Sequence, residues 1–137
     1  MFSLAKSRQN DLRFGVYITA HSIELLSTQA GRREALSLLR CNGITRVYLE
    51  VYRSGLVVPV PLLREVRDFF QRNDIEVTGG IATVPWGDFG VRQRGRLDWF
   101  NWQNEKTQRD LKKVMRDVAP IFDTFIVDDF LCTADTS

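Results

Sequence analysis

Apolar residues recur with two different spacings along the chain, and the two spacings alternate from one end to the other. Four short segments alternate apolar and polar side chains, the period typical of β-strands: residues 14–19, 46–52, 75–81 and 124–130. Between them, apolar residues recur every three or four positions, which predicts helices over about residues 22–40, from Pro61 onwards and over about residues 104–119. The pattern therefore predicts strands and helices in alternation.

Local signals place the ends of these helices. Asn42 and Gly43 close the first one, because glycine readily adopts the left-handed conformation in which many helices end. Gly31 marks a point where that helix can divide into two pieces. Pro61 suits the first position of the second helix, where its missing N–H leaves no bond unmade. A long loop, about residues 83–103, is predicted between the third strand and the third helix.

The order of elements predicts a parallel sheet, because parallel neighbours need long crossover connections such as helices. A sheet covered by helices on both faces has strands that are apolar throughout. Here Val47 and Leu49 alternate with Tyr48 and Glu50, which predicts one face against helices and one mixed face lining a barrel interior. The predicted fold class is α/β: a parallel (β/α) repeat forming half of a TIM (β/α)8 barrel, with about four strands and three main helices.

Length and composition decide the domain organisation. A complete (β/α)8 barrel takes about 250 residues, whereas this chain has 137, of which 44% are hydrophobic and 26% charged. Such a composition is typical of one globular domain, residues 1–137. Two interpretations stay open: the N-terminal part of a barrel, or a half barrel that forms a homodimer through its edge strands. A last strand with no helix after it favours the first.

Charge, hydropathy and cysteine content argue against several classes of protein. The net charge of +2 is too small and too scattered to predict a nucleic-acid partner. No apolar run approaches the ~20 residues of a membrane span, and the first residues lack a signal-peptide core, so no membrane contact is predicted and the compartment stays open. Cys41 and Cys132 have no metal-site spacing, and phosphate-binding and GxSxG motifs are missing. No metal and no cofactor are predicted.

Polar residues at the ends of the predicted strands are the first candidates for a site, because the loops after parallel strands meet at one rim. These residues are His21, Glu50, Tyr52, Asp128 and Asp129. Two carboxylates at a rim suit hydrolysis of a glycosidic bond, in which one protonates the leaving oxygen and the other attacks carbon or activates water. The alternatives are structural: Asp128 caps a loop, Glu50 pairs with an arginine such as Arg53, and His21 merely flanks a helix start.

The loop between the third strand and the third helix contains all three tryptophans of the chain, Trp86, Trp99 and Trp102, together with Phe89 and Phe100. Aromatic faces stack on sugar rings, and a neighbouring amide such as Asn101 binds hydroxyl groups. Alternatively, the loop folds onto the rim as a hydrophobic lid. A third interpretation uses the arginines at 92, 94 and 96 to bind anions or single-stranded nucleic acid, but no wider basic patch supports it.

Four segments of the chain, FGVYI at 14–18, YLEVY at 48–52, FNWQN at 100–104 and IVDDF at 126–130, resemble the N-terminal half of glycoside hydrolase-like TIM-barrel proteins, many of them bacterial. In related retaining glycosidases an acidic residue after strand four is the acid/base or the nucleophile. The resemblance implies that role for Asp128 or Asp129. Because the catalytic partner usually comes from a later strand, it also implies that this chain alone has little activity.

Two hypotheses follow. In the first, the chain is a carbohydrate-active hydrolase domain, or the front part of one. Its catalytic carboxylates are Asp128, Asp129 and Glu50, and its sugar-binding residues are His21, Tyr52, Trp86, Trp99, Asn101 and Trp102. In the second, the chain is a non-catalytic half barrel that binds sugar or assembles through its edge strands.

Overall fold

A computed structural model describes residues 1–95 and 99–128 of the chain. Its helices are α1 (Phe2–Ser7), α2 (Ala20–Glu24), α3 (Gln29–Cys41), α4 (Val60–Gln71) and α5 (Glu105–Val118), with a 3-10 turn at Leu25–Ser27. Its strands are β1 (Gly15–Ile18), β2 (Arg46–Glu50), β3 (Tyr52–Arg53), β4 (Leu56–Val57), β5 (Glu76–Ala82) and β6 (Phe125–Asp128).

Strands β1, β2, β5 and β6 form one sheet in that order, and every neighbouring pair is parallel. Each pair is joined by a connection that contains a helix, as parallel strands require. The predicted fold class, a parallel (β/α) repeat with a half-barrel-like arrangement, is therefore confirmed. Strands β3 and β4 stand apart as a short antiparallel hairpin that follows β2.

The two faces of the sheet differ as the alternation predicts. Val47 and Leu49 are fully buried and belong to one apolar core with Leu39, Leu63 and Phe70 of the flanking helices. The intervening residues of β2 point to the opposite face, because successive side chains of a strand alternate. Val47 and Leu49 thus lie on the face that packs against α3 and α4, and the mixed face lines the concave side of the sheet.

The first predicted helix divides, but not at Gly31. Helix α2 ends at Glu24, and α3 begins after Thr28, whose Oγ1 accepts a hydrogen bond from the Gly31 N–H at 3.0 Å. Gly31 lies inside α3, where a Cβ would collide with the Leu25 carbonyl. Gly31 thus allows the preceding turn to approach α3 closely, and it does not break the helix.

Other elements differ from the prediction at their ends or were not predicted. Helix α4 begins at Val60, one residue before Pro61, which occupies the first turn. Helix α5 has Asn104 as its N-cap, with Oδ1 accepting from the Lys106 N–H at 2.9 Å. Helix α1 and the β3–β4 hairpin have no periodic signal of their own, because six residues or two are too few to show one.

The adjacent glycines of β5 make room for aromatic rings on both faces of the sheet. A Cβ on Gly80 would lie 2.8 Å from the ring of Tyr17, and a Cβ on Gly79 would overlap the ring of Phe125. Tyr17 can therefore lie across the concave face from β1 towards the centre of the sheet. This close packing accounts for the absence of a side chain at both positions.

Three further features of the described residues concern membrane-spanning helices, groups of metal ligands and cysteines. Within residues 1–95 and 99–128, no helix is long and apolar enough to cross a membrane. The same residues contain no group of three or more potential metal ligands. Cys41 is an exposed free thiol, and Cys132 lies outside the described residues.

Candidate functional site

The site forms at the carboxyl ends of the parallel strands, on the concave face. Glu50 is the last residue of β2 and Asp128 the last of β6. Glu50 is in register with Gly80, and Asp128 with Ala82 of the same strand. Since Gly80 and Ala82 are two residues apart, both acidic side chains project from one face. This placement agrees with the face that the alternation assigns to them.

Glu50 is fully buried and its carboxylate is surrounded by donors. Oε1 accepts a hydrogen bond from the Tyr17 hydroxyl at 2.8 Å, and Oε2 accepts one from the backbone N–H of Ala20 at 2.7 Å. The Arg53 Nε donates to both oxygens, at 3.0 and 2.9 Å. Burial of a carboxylate is costly unless its oxygens are paired in this way. Its oxygens are engaged by β1, by the start of α2 and by the hairpin, so Glu50 joins three elements.

Arg53 links the two acidic residues of the site. Its Nη2 lies 2.9 Å from Oε1 of Glu50 and 2.9 Å from Oδ2 of Asp128. The hydrogen bonds to Glu50, followed by the charges of both carboxylates, raise the pKa of the guanidinium above its already high value. The arginine therefore stays charged, and Glu50 and Asp128 are connected through it although no hydrogen bond joins them directly.

Tyr17 completes the buried side of this group. Burial, reinforced by the hydrogen bond to Glu50 and by the negative charges of Glu50 and Asp128, raises the pKa of its hydroxyl well above the ordinary tyrosine value. The hydroxyl consequently remains a donor across the physiological pH range. Residues Tyr17, Glu50, Arg53 and Asp128 together are called the rim cluster below.

Asp128 is the member of the rim cluster that faces outward. Its side chain is 43% exposed, whereas that of Glu50 is completely covered. Its backbone carbonyl accepts a hydrogen bond from Thr83 Oγ1 at 3.0 Å, which fixes the end of β6 beside the end of β5. Asp128 is thus a partly exposed carboxylate whose side chain contacts Arg53. Asp129 lies outside the described residues.

His21 and Tyr52, two further candidates from the sequence, occupy opposite environments. His21 is exposed on α2, directly after Ala20, whose N–H binds Glu50, so it lies near the rim cluster along the chain. Tyr52 is fully buried. Its hydroxyl donates to the Val84 carbonyl at 2.7 Å, and burial raises its pKa to about 12. The phenol fastens the loop after β5 to the hairpin.

Three aromatic residues of that loop pack against one another and against Tyr52 of the hairpin. Phe100 is fully buried and contacts the rings of Tyr52, Phe89 and Trp102 at centroid separations of 6.4, 6.0 and 5.6 Å. The Asn101 Oδ1 accepts from the backbone N–H groups of Gln103 and Asn104, at 3.1 and 3.2 Å. Phe89, Phe100 and Trp102 therefore belong to one packed aromatic group with Tyr52, and Asn101 shapes the turn before α5.

Trp86 and Trp99 differ from this packed group. Trp86 is 60% exposed and lies against the tip of the β3–β4 hairpin, where a Cβ on Gly55 would come within 2.9 Å of its ring. Its backbone pairs with that of Phe89 across a tight turn. Trp99 is half-buried, and its carbonyl accepts from the Gln93 N–H at 3.0 Å. Trp86 is thus the most exposed of the three tryptophans.

Sequence reasoning did not single out Tyr17 as a site residue, and it named Arg53 only as a structural partner of Glu50. The period of two in β1 does place Tyr17 on the concave face, but its reach depends on the missing side chain at Gly80. Arg53 sits where the strand pattern ends and the hairpin turns. Its approach to Asp128, 75 residues later in the chain, depends on the sheet order.

Comparisons with known proteins agree with this architecture. The model of a family described as "Probable glycosyl hydrolase, catalytic domain" matches residues 2–137. An uncharacterized protein of Saccharolobus solfataricus is 27% identical over 121 residues, which cover 88% of this chain and 20% of that protein. A hypothetical protein from Ruminiclostridium thermocellum has a similar fold, with a TM-score of 0.58 and 15% identity over 82% of this chain and 75% of that one. The chain thus spans a small part of the curated relative.

Proposed function

The chain belongs to the family of probable glycosyl hydrolase catalytic domains, and from this premise we propose that it supplies Asp128 as a catalytic carboxylate for hydrolysis of a glycosidic bond. One observation supports this choice most directly. Asp128 is the carboxylate of the rim cluster that is exposed and yet held in one orientation by Arg53. A reacting group needs both properties, because it must reach the substrate in a fixed geometry.

Glu50 serves the same site in another way in this proposal. Its carboxylate is completely buried and already accepts hydrogen bonds from Tyr17, Ala20 and Arg53. A substrate atom would have to displace one of these donors to touch it. Glu50 therefore orients the reacting carboxylate rather than attacking carbon or activating water itself.

Hydrolysis of a glycoside needs a second carboxyl group besides Asp128. Asp129 is one candidate within this chain. The chain covers 20% of its curated relative, so we propose as the other source a polypeptide that continues with the remaining strand–helix units of a barrel, called the longer protein below. We therefore expect the reaction in the longer protein and little turnover by residues 1–137 alone.

Sugar binding is assigned to the exposed surfaces beside the rim cluster. Trp86 offers a flat ring on the hairpin, and aromatic rings of this kind stack on the apolar faces of sugars. His21 offers an exposed imidazole at the start of α2. Asn101, Trp102 and Tyr52 contribute indirectly, since their contacts shape the loop that carries Trp86 and Trp99.

Replacement of Asp128 by asparagine tests the catalytic assignment. In the longer protein, assayed on a panel of aryl glycosides, we expect D128N to lower kcat by about a hundredfold or more, since it removes a group that exchanges protons or attacks carbon. The matched control is D117N, on the exposed face of α5, where Asp117 pairs with Lys113 at 2.9 Å. Equal turnover by D128N and D117N would remove Asp128 from the mechanism.

A second candidate function is carbohydrate binding without hydrolysis, and the exposure of Trp86 favours it. This alternative predicts that no aryl glycoside is cleaved by the longer protein. It also predicts that W86A loses binding of an oligosaccharide found on a glycan array, while D128N binds it like the wild type. Hydrolysis that depends on Asp128 would decide for the catalytic proposal.

A further inference from the structure

One guanidinium serves two carboxylates in the rim cluster. The Arg53 Nε and Nη2 approach Glu50 from one side, and the same Nη2 meets Oδ2 of Asp128 at 2.9 Å. Glu50 itself is fixed by the Tyr17 hydroxyl and the Ala20 N–H. Arg53 thus connects the Asp128 side chain to the buried and fixed carboxylate of Glu50.

The backbone that carries Arg53 is held in a tight turn. Arg53 pairs with Leu56 across the hairpin, and the two residues between them, Ser54 and Gly55, have φ angles of 47° and 86°. Positive φ at both central positions is typical of the two-residue hairpin turn that matches strand twist. The ring of Trp86 packs on Gly55 and covers the tip. Arg53 is therefore presented from a short, closely packed element.

We propose that Arg53 is a positioning residue of the glycoside site, which aligns Asp128 for reaction by clamping it to Glu50. The inference rests on the proposed function of Asp128 and adds a residue on which its orientation depends. The planar guanidinium matters, because its fork can contact both carboxylates at fixed angles. A lysine supplies the same charge from a single atom and cannot reproduce that geometry.

Stability alone does not explain the ion pair between Arg53 and Asp128. Arg53 is 32% exposed and Asp128 43% exposed, and ion pairs with such access to water contribute little to folding. What the pair adds is a fixed direction for the Asp128 carboxylate. A purely electrostatic role predicts that R53K behaves like the wild type, whereas positioning predicts that R53K is defective while still folded.

The first test measures Asp128 without any assay of hydrolysis. Carboxyl groups are labelled with a carbodiimide and glycine ethyl ester, and the rate at Asp128 is followed by peptide mass spectrometry. We expect R53K to raise this rate by about fivefold, the change equivalent to losing a contact of ~1 kcal/mol. R67K is the control, because Arg67 donates to Asp68 and to the Ile121 carbonyl, outside the rim cluster.

The second test measures hydrolysis by the longer protein. We expect R53K to lower kcat by about tenfold to a hundredfold at unchanged KM, as misplacement of a reacting group does. Addition of R53K to D128N should change kcat no further, since Arg53 acts through Asp128. The pair R53Q/E50Q provides a second variant, in which no buried charge is left unpaired, and it should release Asp128 to the label as R53K does.

The outcomes separate the two proposals. An Asp128 labelling rate in R53K and R53Q/E50Q equal to that of the wild type overturns the positioning role, whatever happens to hydrolysis. Faster labelling with an unchanged kcat in an active protein also overturns it. If the wild-type protein cleaves no glycoside, the proposed function fails, and the labelling rates still decide whether Arg53 holds Asp128.

Discussion

The buried carboxylate of Glu50 accepts hydrogen bonds from three of the elements around it. Tyr17 comes from β1, Ala20 from the start of α2 and Arg53 from the hairpin. Removal of any one donor leaves the buried carboxylate incompletely paired, which lowers the stability of the fold. A change at one of these residues therefore affects the pairing of the others. The titration of Tyr17 at alkaline pH measures one of these interactions.

Tyr17 predicts how stability changes at high pH. Burial and the neighbouring Glu50 raise the pKa of its hydroxyl above that of an unfolded tyrosine, about 10. Below pH ~10 both states hold the proton, so the full stabilisation is present. Above it the unfolded chain releases the proton first, and the stability contributed by this group falls with rising pH until the native hydroxyl titrates as well.

The measurement is urea unfolding of the wild type and Y17F at about pH 8 and about pH 11. We expect the wild type to lose stability with a slope that includes one proton, at most ~1.4 kcal/mol per pH unit, and Y17F to lose less. Tyr52, whose pKa is raised to about 12 by burial, contributes in the same direction in both proteins. Parallel pH profiles for the two would contradict the assignment to Tyr17.

Part of the rim cluster could be predicted from the sequence. The period of two placed Glu50 and Asp128 on one face, and both are in the rim cluster. The same period placed Tyr52 with them. The strand instead ends at Glu50 and the chain turns into the hairpin, which buries Tyr52 under Phe100. A pattern along one segment cannot show where a strand gives way to a turn that a distant loop covers.

Among the elements, β5 provides the space in which aromatic rings of two other strands pack. Its two glycines accept the ring of Phe125 on the helix-facing side and the ring of Tyr17 on the concave side. The role of these glycines cannot be read from the sequence, because the partners that require a missing side chain lie in other strands. The order of strands was predictable from alternation and connection length, whereas this interlocking was not.

Substitution of Gly79 tests the packing between β5 and β6. A methyl group there overlaps the Phe125 ring, so we expect G79A to lower the free energy of unfolding by about 1–3 kcal/mol, the cost typical of overpacking. The double variant G79A/F125L should recover part of that loss, because leucine occupies less space beside the added methyl. Denaturant unfolding of the wild type and the two variants measures both changes.

The comparison with G80A sharpens this test. Its methyl group would meet Tyr17 instead, at 2.8 Å from the ring and 2.9 Å from the hydroxyl oxygen. F125L should therefore give no recovery in a G80A background. Equal recovery in both backgrounds would show that F125L acts by a general effect and not through the space above Gly79.

Apolar surface lies open beside β1 and α3 of the molecule. Along β1 and α3 runs a groove of about 630 Å³ whose lining includes Val16, Ile18, Leu25 and Leu38. Leu25 is 73% exposed and Leu38 65%. The backbone edge of β1 lies beside it without a neighbouring strand in the described part of the chain. In a (β/α) repeat, the next unit round the barrel would lie at this position.

This side of the molecule therefore predicts a difference between residues 1–137 and a longer polypeptide that carries further strand–helix units. In residues 1–137, L38S should change the free energy of unfolding by no more than about 0.5 kcal/mol, as exposed substitutions do. In the longer polypeptide, where we expect a helix to cover Leu38, the same change should cost about 2–3 kcal/mol of lost apolar burial. L63S, at a position already fully buried, should be costly at both lengths and serves as the control. An equally small cost of L38S at both lengths would mean that the added units do not cover this groove, and the barrel proposed for the longer protein would then close in some other way.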